Sequence, residues 1–296
     1  MTGARQKGMA IIGALVVVAA ASVATANIME RQTLLADTLA GERDRVQAKW
    51  LLRSGLDWSR IILWNDARSN AVTLKDAIWA QPIEGLEIRA PGSTRQAYFS
   101  GLIEDEQGKY DIGRLAVNGT VTASELASLR QLLASLGLPD WLAPAIAARV
   151  ASAQTGPQSE ATAPGLRTVR DLLSIEGMTL ETVTVVSEYL TVLPYKSPLN
   201  INTASAEVLS ASIPQLDLAQ ARSLVEQRNR GQWFNSRGDF LNRLSDPKVA
   251  VDIQVDVRSE WFKVTGEVML DHATASMQAL LQRQGSTLPA VQWIEG

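Results

Sequence analysis

The chain contains no cysteine and a single histidine, His272, in 296 residues. The first absence excludes disulfides, thiolate metal sites and cysteine nucleophiles. The second excludes histidine-rich metal sites and histidine pairs. Proline is missing from the whole N-terminal quarter, with Pro82 the first in the chain. Charge is missing from Met9 to Met29, and the next charged residue is Glu30. Strong net charge is missing too: a balance of −3 supplies no general drive towards nucleic acid or anionic lipid. What is present, 46% hydrophobic and 20% charged residues, describes a chain that folds, as one large domain or two small ones.

The uncharged run follows a short basic head, Met-Thr-Gly-Ala-Arg-Gln-Lys-Gly, that ends at Gly8. Met9 to Ala26 is apolar on every side; as a helix it spans roughly 27 Å, close to the hydrocarbon thickness of about 30 Å. Arg5 and Lys7 place the N-terminus in the cytoplasm by the positive-inside rule. Three readings fit these residues. One is a secretory signal peptide cut after Ala24-Thr25-Ala26. Another is an uncleaved signal anchor. The third is a prepilin-type signal cut after Gly8, which leaves the apolar helix on the mature protein. The fifth residue after Gly8 is Gly13, and the run holds no carboxylate.

From Ile28 to Trp64 the pattern remains helical. Leu35, Leu39, Val46, Trp50, Leu51 and Ile61 recur at spacings that form a stripe. Gly41 and Gly55 weaken it by about 1 kcal/mol each. Trp50, Trp58, Trp64 and Trp79 read as packing residues of this helix and its neighbours.

Beyond it, Pro82, Gly85, Pro91 and Gly92 punctuate strand-like runs at Leu86–Arg89 and Tyr98–Ile103, with Lys109–Leu115 as a further run: a small antiparallel sheet. Helices are expected over Ala123–Gly137, Trp141–Ala153, Thr168–Leu173 and Leu180–Leu190, the first capped by Thr122 or Ser124. A loop of small and polar residues lies between Ser152 and Gly165. The segment Leu199-Asn200-Ile201-Asn202-Thr203-Ala204 leads into a helix carrying Val208 and Leu209, for which Asn202 or Thr203 can supply the cap. Leu218–Arg228 is a further helix, and Asp239-Phe240-Leu241 begins another. Alternation returns at Glu260–Leu270, with a partner strand around Thr274–Arg283 across a turn at Asp271-His272. The tail from Gly285 reads as loose.

Taken in order, KGMAIIGALVVV, SGLIEDEQGKYDIGRL and LPYKSPLNINTASAEVLSA resemble the minor pseudopilin K family of type II secretion. The resemblance implies an α+β fold: a pilin-like long N-terminal helix and small antiparallel sheet, with inserted all-α, SAM-like modules. The divisions it implies are a prepilin leader (1–8), a transmembrane part (9–26), and a periplasmic helix with first strands (27–115). Two inserted helical modules (116–197 and 198–250), C-terminal strands (251–284) and a tail (285–296) complete the chain. It further implies a place in the bacterial inner membrane with the bulk in the periplasm. The tip of the pseudopilus, with the minor pseudopilins I and J, is the expected position, where the subunit starts assembly. Secretin and exported substrates are further implied partners. A prepilin peptidase is expected to cut between Gly8 and Met9 and methylate Met9.

Gly13 stands where most pilin-like subunits carry a glutamate that pairs with a neighbour's amino terminus. A subunit with nothing above it has no amine to satisfy, and an unpaired buried carboxylate would cost several kcal/mol. The plain reading is that Gly13 aids helix packing in the membrane.

Other residues carry further expectations. Glu104, Asp105, Glu106 and Asp111 offer hard oxygen ligands, and some members of the family bind calcium. Against this, the loop 151–165 holds one acid, Glu160, and the expectation is a solvated acidic turn. Asn200, Asn202 and Thr203 also resemble part of the helix-hairpin-helix of DNA-uptake proteins, which suggests the alternative of a membrane-tethered DNA-binding module. The hairpin Ile213-Pro214-Gln215-Leu216-Asp217 has an acid and no glycine, unlike a phosphate-binding hairpin. No nucleic acid partner is expected, Asn200 and Asn202 are expected to bond turns, and the residue pattern shows no catalytic constellation.

Overall fold

The computed structural model describes residues 3–89, 96–157, 160–244, 254–270, 273–285 and 287–296, with side chains from Ile12 onward. A single helix, α1 (Gly3–Ser69), takes up the first 67 described residues. With no proline inside it, nothing removes a backbone donor or forces a kink. Among the described residues one helix is long and apolar enough to cross a membrane, Ile12–Ser69, and its apolar window is entirely unburied.

The covered face of α1 is not the expected one. Trp50 is 69% exposed, and Leu35, Leu39, Val46 and Ile61 are exposed as well. The buried positions are Asp44, Ala48, Leu52, Leu56, Ser59 and Leu63, spaced by four, four, four, three and four. Both sets have helical spacing, so periodicity finds two stripes and cannot choose between them. Trp50 and Trp58 are therefore not packing residues within this chain; Trp79 is, and meets Phe262 edge-on with ring centroids 5.2 Å apart.

The chain divides into two compact units. One holds Met1–Ser54, Gly85–Phe99 and Glu267–Ser276; the other holds Gly55–Glu84, Ser100–Gly266 and Met277–Gly296. Strands β1 (Ile83–Ile88) and β2 (Ala97–Asp105) correspond to the two expected runs. The run at Lys109–Leu115 is not one strand. Only Tyr110–Asp111 is extended (β3), because the Asp111 carboxylate accepts from the Gly113 N–H and curls Ile112–Leu115 into a 3-10 turn. The short strands β4 (Ala116–Val117) and β5 (Thr120–Val121) then form an antiparallel pair.

The larger unit contains the helical part. Helix α2 (Ala123–Ser135) has Thr122 at its N-cap, with no side-chain capping bond. It ends where Gly137 takes φ +69° and the Leu138 N–H reaches back to the Leu133 carbonyl, the geometry that favours glycine after a helix. Helix α3 (Leu142–Ser152) follows, then a 3-10 turn at Val169–Ser174 and α4 (Leu180–Val186). The helix expected to reach Leu190 stops at Val186, because Leu190–Thr191 (β6) is drawn into a parallel pair with β3.

Next come β7 (Leu199–Asn200), α5 (Ala206–Ser212), α6 (Leu218–Asn229) and α7 (Arg237–Asn242). β7 pairs in parallel with β8 (Val255–Asp256). Their shared core includes Leu129, Leu132, Ile146, Leu172, Leu209 and Phe234, all buried. These helices are short, so packing of their apolar faces supplies most of their stability.

Strands β9 (Trp261–Leu270) and β10 (Ala273–Gln282) are where the alternation placed them; the turn expected at Asp271-His272 lies outside the described residues. The tail is not loose. Ala290–Glu295 forms β11, antiparallel to β10, with Trp293 opposite Leu280. Trp293 there packs on a small cluster of Leu193, Trp261 and Leu280, which gives the segment an apolar reason to order. The five-stranded sheet runs β1-β2-β9-β10-β11.

Candidate functional site

The acidic segment after β2 sits at the centre of a buried polar network. Asp105 is 9% exposed. One carboxylate oxygen accepts from the Gln107 N–H at 2.9 Å. The other accepts from Asn200 Nδ2 at 2.9 Å, Thr203 Oγ1 at 2.6 Å and Ser259 Oγ at 2.6 Å. Burial pushes the Asp105 carboxyl above its ordinary range, against the downward pull of these four donors.

Asn200 does more than close a turn. Its Oδ1 accepts from the Asn202 N–H, and its Nδ2 also reaches the Thr73 carbonyl and Ser259 Oγ. Asn202 forms a reciprocal pair with the Phe234 backbone, donating to its carbonyl and accepting from its N–H, both at 2.9 Å. Neither Asn202 nor Thr203 caps α5. Ser205 does, accepting from the Val208 N–H, because the turn ahead of the helix already uses the Asn200 carbonyl for Thr203 and Ala204. Gly108 permits this arrangement. A Cβ there would lie 2.7 Å from Thr203 Oγ1 and 3.1 Å from the Thr203 backbone carbon.

The neighbouring acids face cations of the same chain. Lys109 Nζ lies 2.8 Å from Glu106 and 3.3 Å from Glu104, and Lys263 Nζ lies 2.8 Å from Glu104. Thr191 Oγ1 donates to the second Glu106 oxygen. Burial alone would raise the Glu104 carboxyl, but Lys109 and Lys263 outweigh it and hold it below the usual carboxylate range. Asp111 stands apart, accepting from the N–H groups of Gly113 and Leu193, and burial pushes it up to about 6. Among the described residues no group of three or more His, Cys, Asp or Glu side chains is placed to hold a metal ion. The arrangement is thus a set of satisfied donors and acceptors that locks segments distant in sequence.

Sequence reasoning missed three members. Ser259 and Thr73 are single hydroxyls with no local signature. Arg283 is 7% exposed, donates to the Leu63 and Ser259 carbonyls and Thr73 Oγ1, and pairs with Asp66 at 3.0 Å.

The N-terminal positions are simpler. Gly8 and Met9 lie within α1, as do Ala24–Ala26. At Gly13 a Cβ would meet nothing within 4 Å. The hairpin between α5 and α6 has Gln215 in the left-handed region at φ 65°, where glycine is the usual residue. The Asp217 side chain caps α6 by accepting from the Gln220 N–H at 2.8 Å. A carboxylate thus occupies the helix start where a phosphate-binding hairpin would receive its anion.

The family described as Type II secretion system (T2SS), protein K matches residues 199–259, which run from the first residue of β7 through Ser259. Type II secretion system protein K of Pseudomonas aeruginosa is 26% identical over 303 residues, covering 94% of this chain and 89% of that protein. The protein of the same description from Klebsiella pneumoniae is 27% identical, covering 97% and 96%. This chain is similar to type II secretion protein K over nearly its whole length. One chain in the crystal structure of the GspK-GspI-GspJ complex from the enterotoxigenic Escherichia coli Type 2 Secretion System has a similar fold. That match has a TM-score of 0.65 at 16% identity and covers 87% of this chain and 98% of that one.

Proposed function

We propose that this chain is a minor pseudopilin of the K type, seated at the tip of the type II secretion pseudopilus with the minor pseudopilins I and J. There it starts assembly and supports export of folded proteins through the outer-membrane secretin. The observation that carries the reading is the likeness to K proteins over 94% to 97% of the chain rather than over one motif. The role is structural, and the satisfied polar network around Asp105 fits it.

The same reading places α1 in the inner membrane, N-terminus inside and the bulk in the periplasm. Its unburied apolar window supports that placement. Helix α1 is unbroken through Ala26, whereas a secretory signal would more often be followed by a loop. We therefore favour prepilin peptidase processing at Gly8–Met9, with Met9 methylated. Gly13 then marks a subunit with no neighbour above it.

The test is the mature N-terminus of the protein purified from its host. N-methylated Met9 is the expected result, and Gly8→Val should leave the precursor uncut. A mature chain that begins at Asn27 would overturn the processing assignment.

A further inference from the structure

The last turn of α6 carries a buried cation with no ion-pair partner among the described residues. Arg228 is 6% exposed. Its Nη1 donates to the Ile201 and Ala204 carbonyls at 3.0 and 2.7 Å, and its Nε to Asn229 Oδ1 at 3.3 Å. All three acceptors are neutral. Among the described residues Arg228 forms no ion pair, and its Nη2 donates no hydrogen bond. Burial pulls the guanidinium down to about 10, with Asp76 opposing from beyond ion-pair distance. A role as a cap for nearby carbonyls accounts for Nη1, while Nη2 is left with access to solvent and free to meet a ligand. A buried charge that lacks a counter-charge is costly, and an arriving anion removes that cost.

Arg228 opens onto a recess of about 250 Å³, lined also by Leu74, Lys75, Asp76, Asn229 and Trp233. Lys75 is exposed and likewise forms no ion pair among the described residues. Two cations against Asp76 leave one net positive charge, which matches a single carboxylate better than a doubly charged phosphate. Leu74, Asp76 and Trp233 also line an adjoining hollow of about 880 Å³ whose wall is largely apolar and includes Ile78, 88% exposed. A ligand that fits both therefore carries an apolar group beside its charge.

We propose that the recess between Arg228 and Lys75 binds a carboxylate presented next to an apolar group, such as the free C-terminus of a polypeptide ending in leucine. The planar guanidinium edge supplies directed donors and the lysine a mobile charge. This site is independent of the pseudopilus assignment, since its test needs no partner subunit.

The test uses the full chain in nonionic detergent, with a labelled peptide Ser-Gly-Ser-Leu as free acid and as amide, followed by fluorescence anisotropy. The free acid should bind on the order of ten-fold tighter than the amide. Lys75→Glu should erase that preference without moving the melting temperature. Arg228→Met should also erase it, and its melting temperature separates lost binding from lost folding. Equal affinity for acid and amide, or a preference that survives Lys75→Glu, overturns the proposal. Sodium acetate and inorganic phosphate serve as competitors. Acetate that displaces the peptide as well as unlabelled peptide does assigns the site to free carboxylates; weak displacement assigns it to a polypeptide. Either result upholds a carboxylate site, whereas phosphate competing better than acetate contradicts it.

Discussion

Asn200 Nδ2 donates to Asp105 Oδ2 at 2.9 Å across 95 positions of sequence. The bond joins the end of β2 to the start of the helical segment that the family match covers. Because Asp105 accepts from four donors, its removal strips the Gln107 N–H and Ser259 Oγ of their acceptor and takes one acceptor each from Asn200 and Thr203. Asp105→Ala should therefore destabilise the chain by about 3–5 kcal/mol. The exposed pair Arg230–Glu226 is the control, and Glu226→Ala should cost only about 0–0.5 kcal/mol. Denaturant midpoints measured in detergent decide it; equal effects would show that the network contributes little.

Asp111 gives a pH signature. Its carboxyl is pushed up to about 6 by burial, while an unfolded aspartate titrates near about 3.9. Between those values the native chain holds a proton that the unfolded chain has released. Stability from this group is thus present below about pH 4 and is lost as pH rises through about 6. Asp111→Asn keeps Oδ1 as acceptor for the N–H groups of Gly113 and Leu193 but removes the titration. The variant should match the parent at pH 4 and exceed it by about 1–3 kcal/mol at pH 7. A variant less stable than the parent at pH 7 would show that the carboxylate is favourably placed.

The oxygens of Glu104, Asp105, Glu106 and Asp111 are already engaged by Lys109, Lys263, hydroxyls and backbone N–H groups. Calcium would have to displace these internal partners. We therefore expect millimolar calcium to leave the melting temperature unchanged and to release no binding heat. A saturable calorimetric signal lost in Glu104→Gln would restore the ion as a ligand.

The outward face of α1 predicts a separation of stability from assembly. Trp50 and Ile61 are exposed, so Trp50→Ala and Ile61→Ala should leave the unfolding midpoint of the isolated chain within about 0.5 kcal/mol. In complex with partner pseudopilins the same changes should weaken association by about 1–2 kcal/mol, the scale of a buried aromatic or aliphatic anchor. Pull-down titrations compare the two. A loss of monomer stability would mean that the face is covered within the chain itself.

The legible part of the sequence was its long-range periodicity. The proline-free stretch announced α1, and alternation announced β9 and β10. Gly137, the last residue of the expected helix, announced the end of α2. What failed was whatever depends on a partner distant in sequence. Leu190 left its helix to pair with β3, while the one local exception, Lys109–Leu115, curled because the Asp111 carboxylate captured the Gly113 N–H two residues on. The tail was missed because Ala290–Glu295 sets apolar residues side by side, Ala290-Val291 and Trp293-Ile294, instead of alternating, and it orders where Trp293 meets Leu193 and Trp261. Ser259, Thr73 and Arg283 left no signal at all, since a hydroxyl or guanidinium becomes a network member only through folding.

The central claim is membership of a K–I–J tip complex, and co-purification tests it most directly. The full chain, co-expressed with the minor pseudopilins I and J of its host and extracted in mild detergent, should elute with both as one ternary species. Recovery of the chain alone, with I and J absent from its fractions, would contradict the claim.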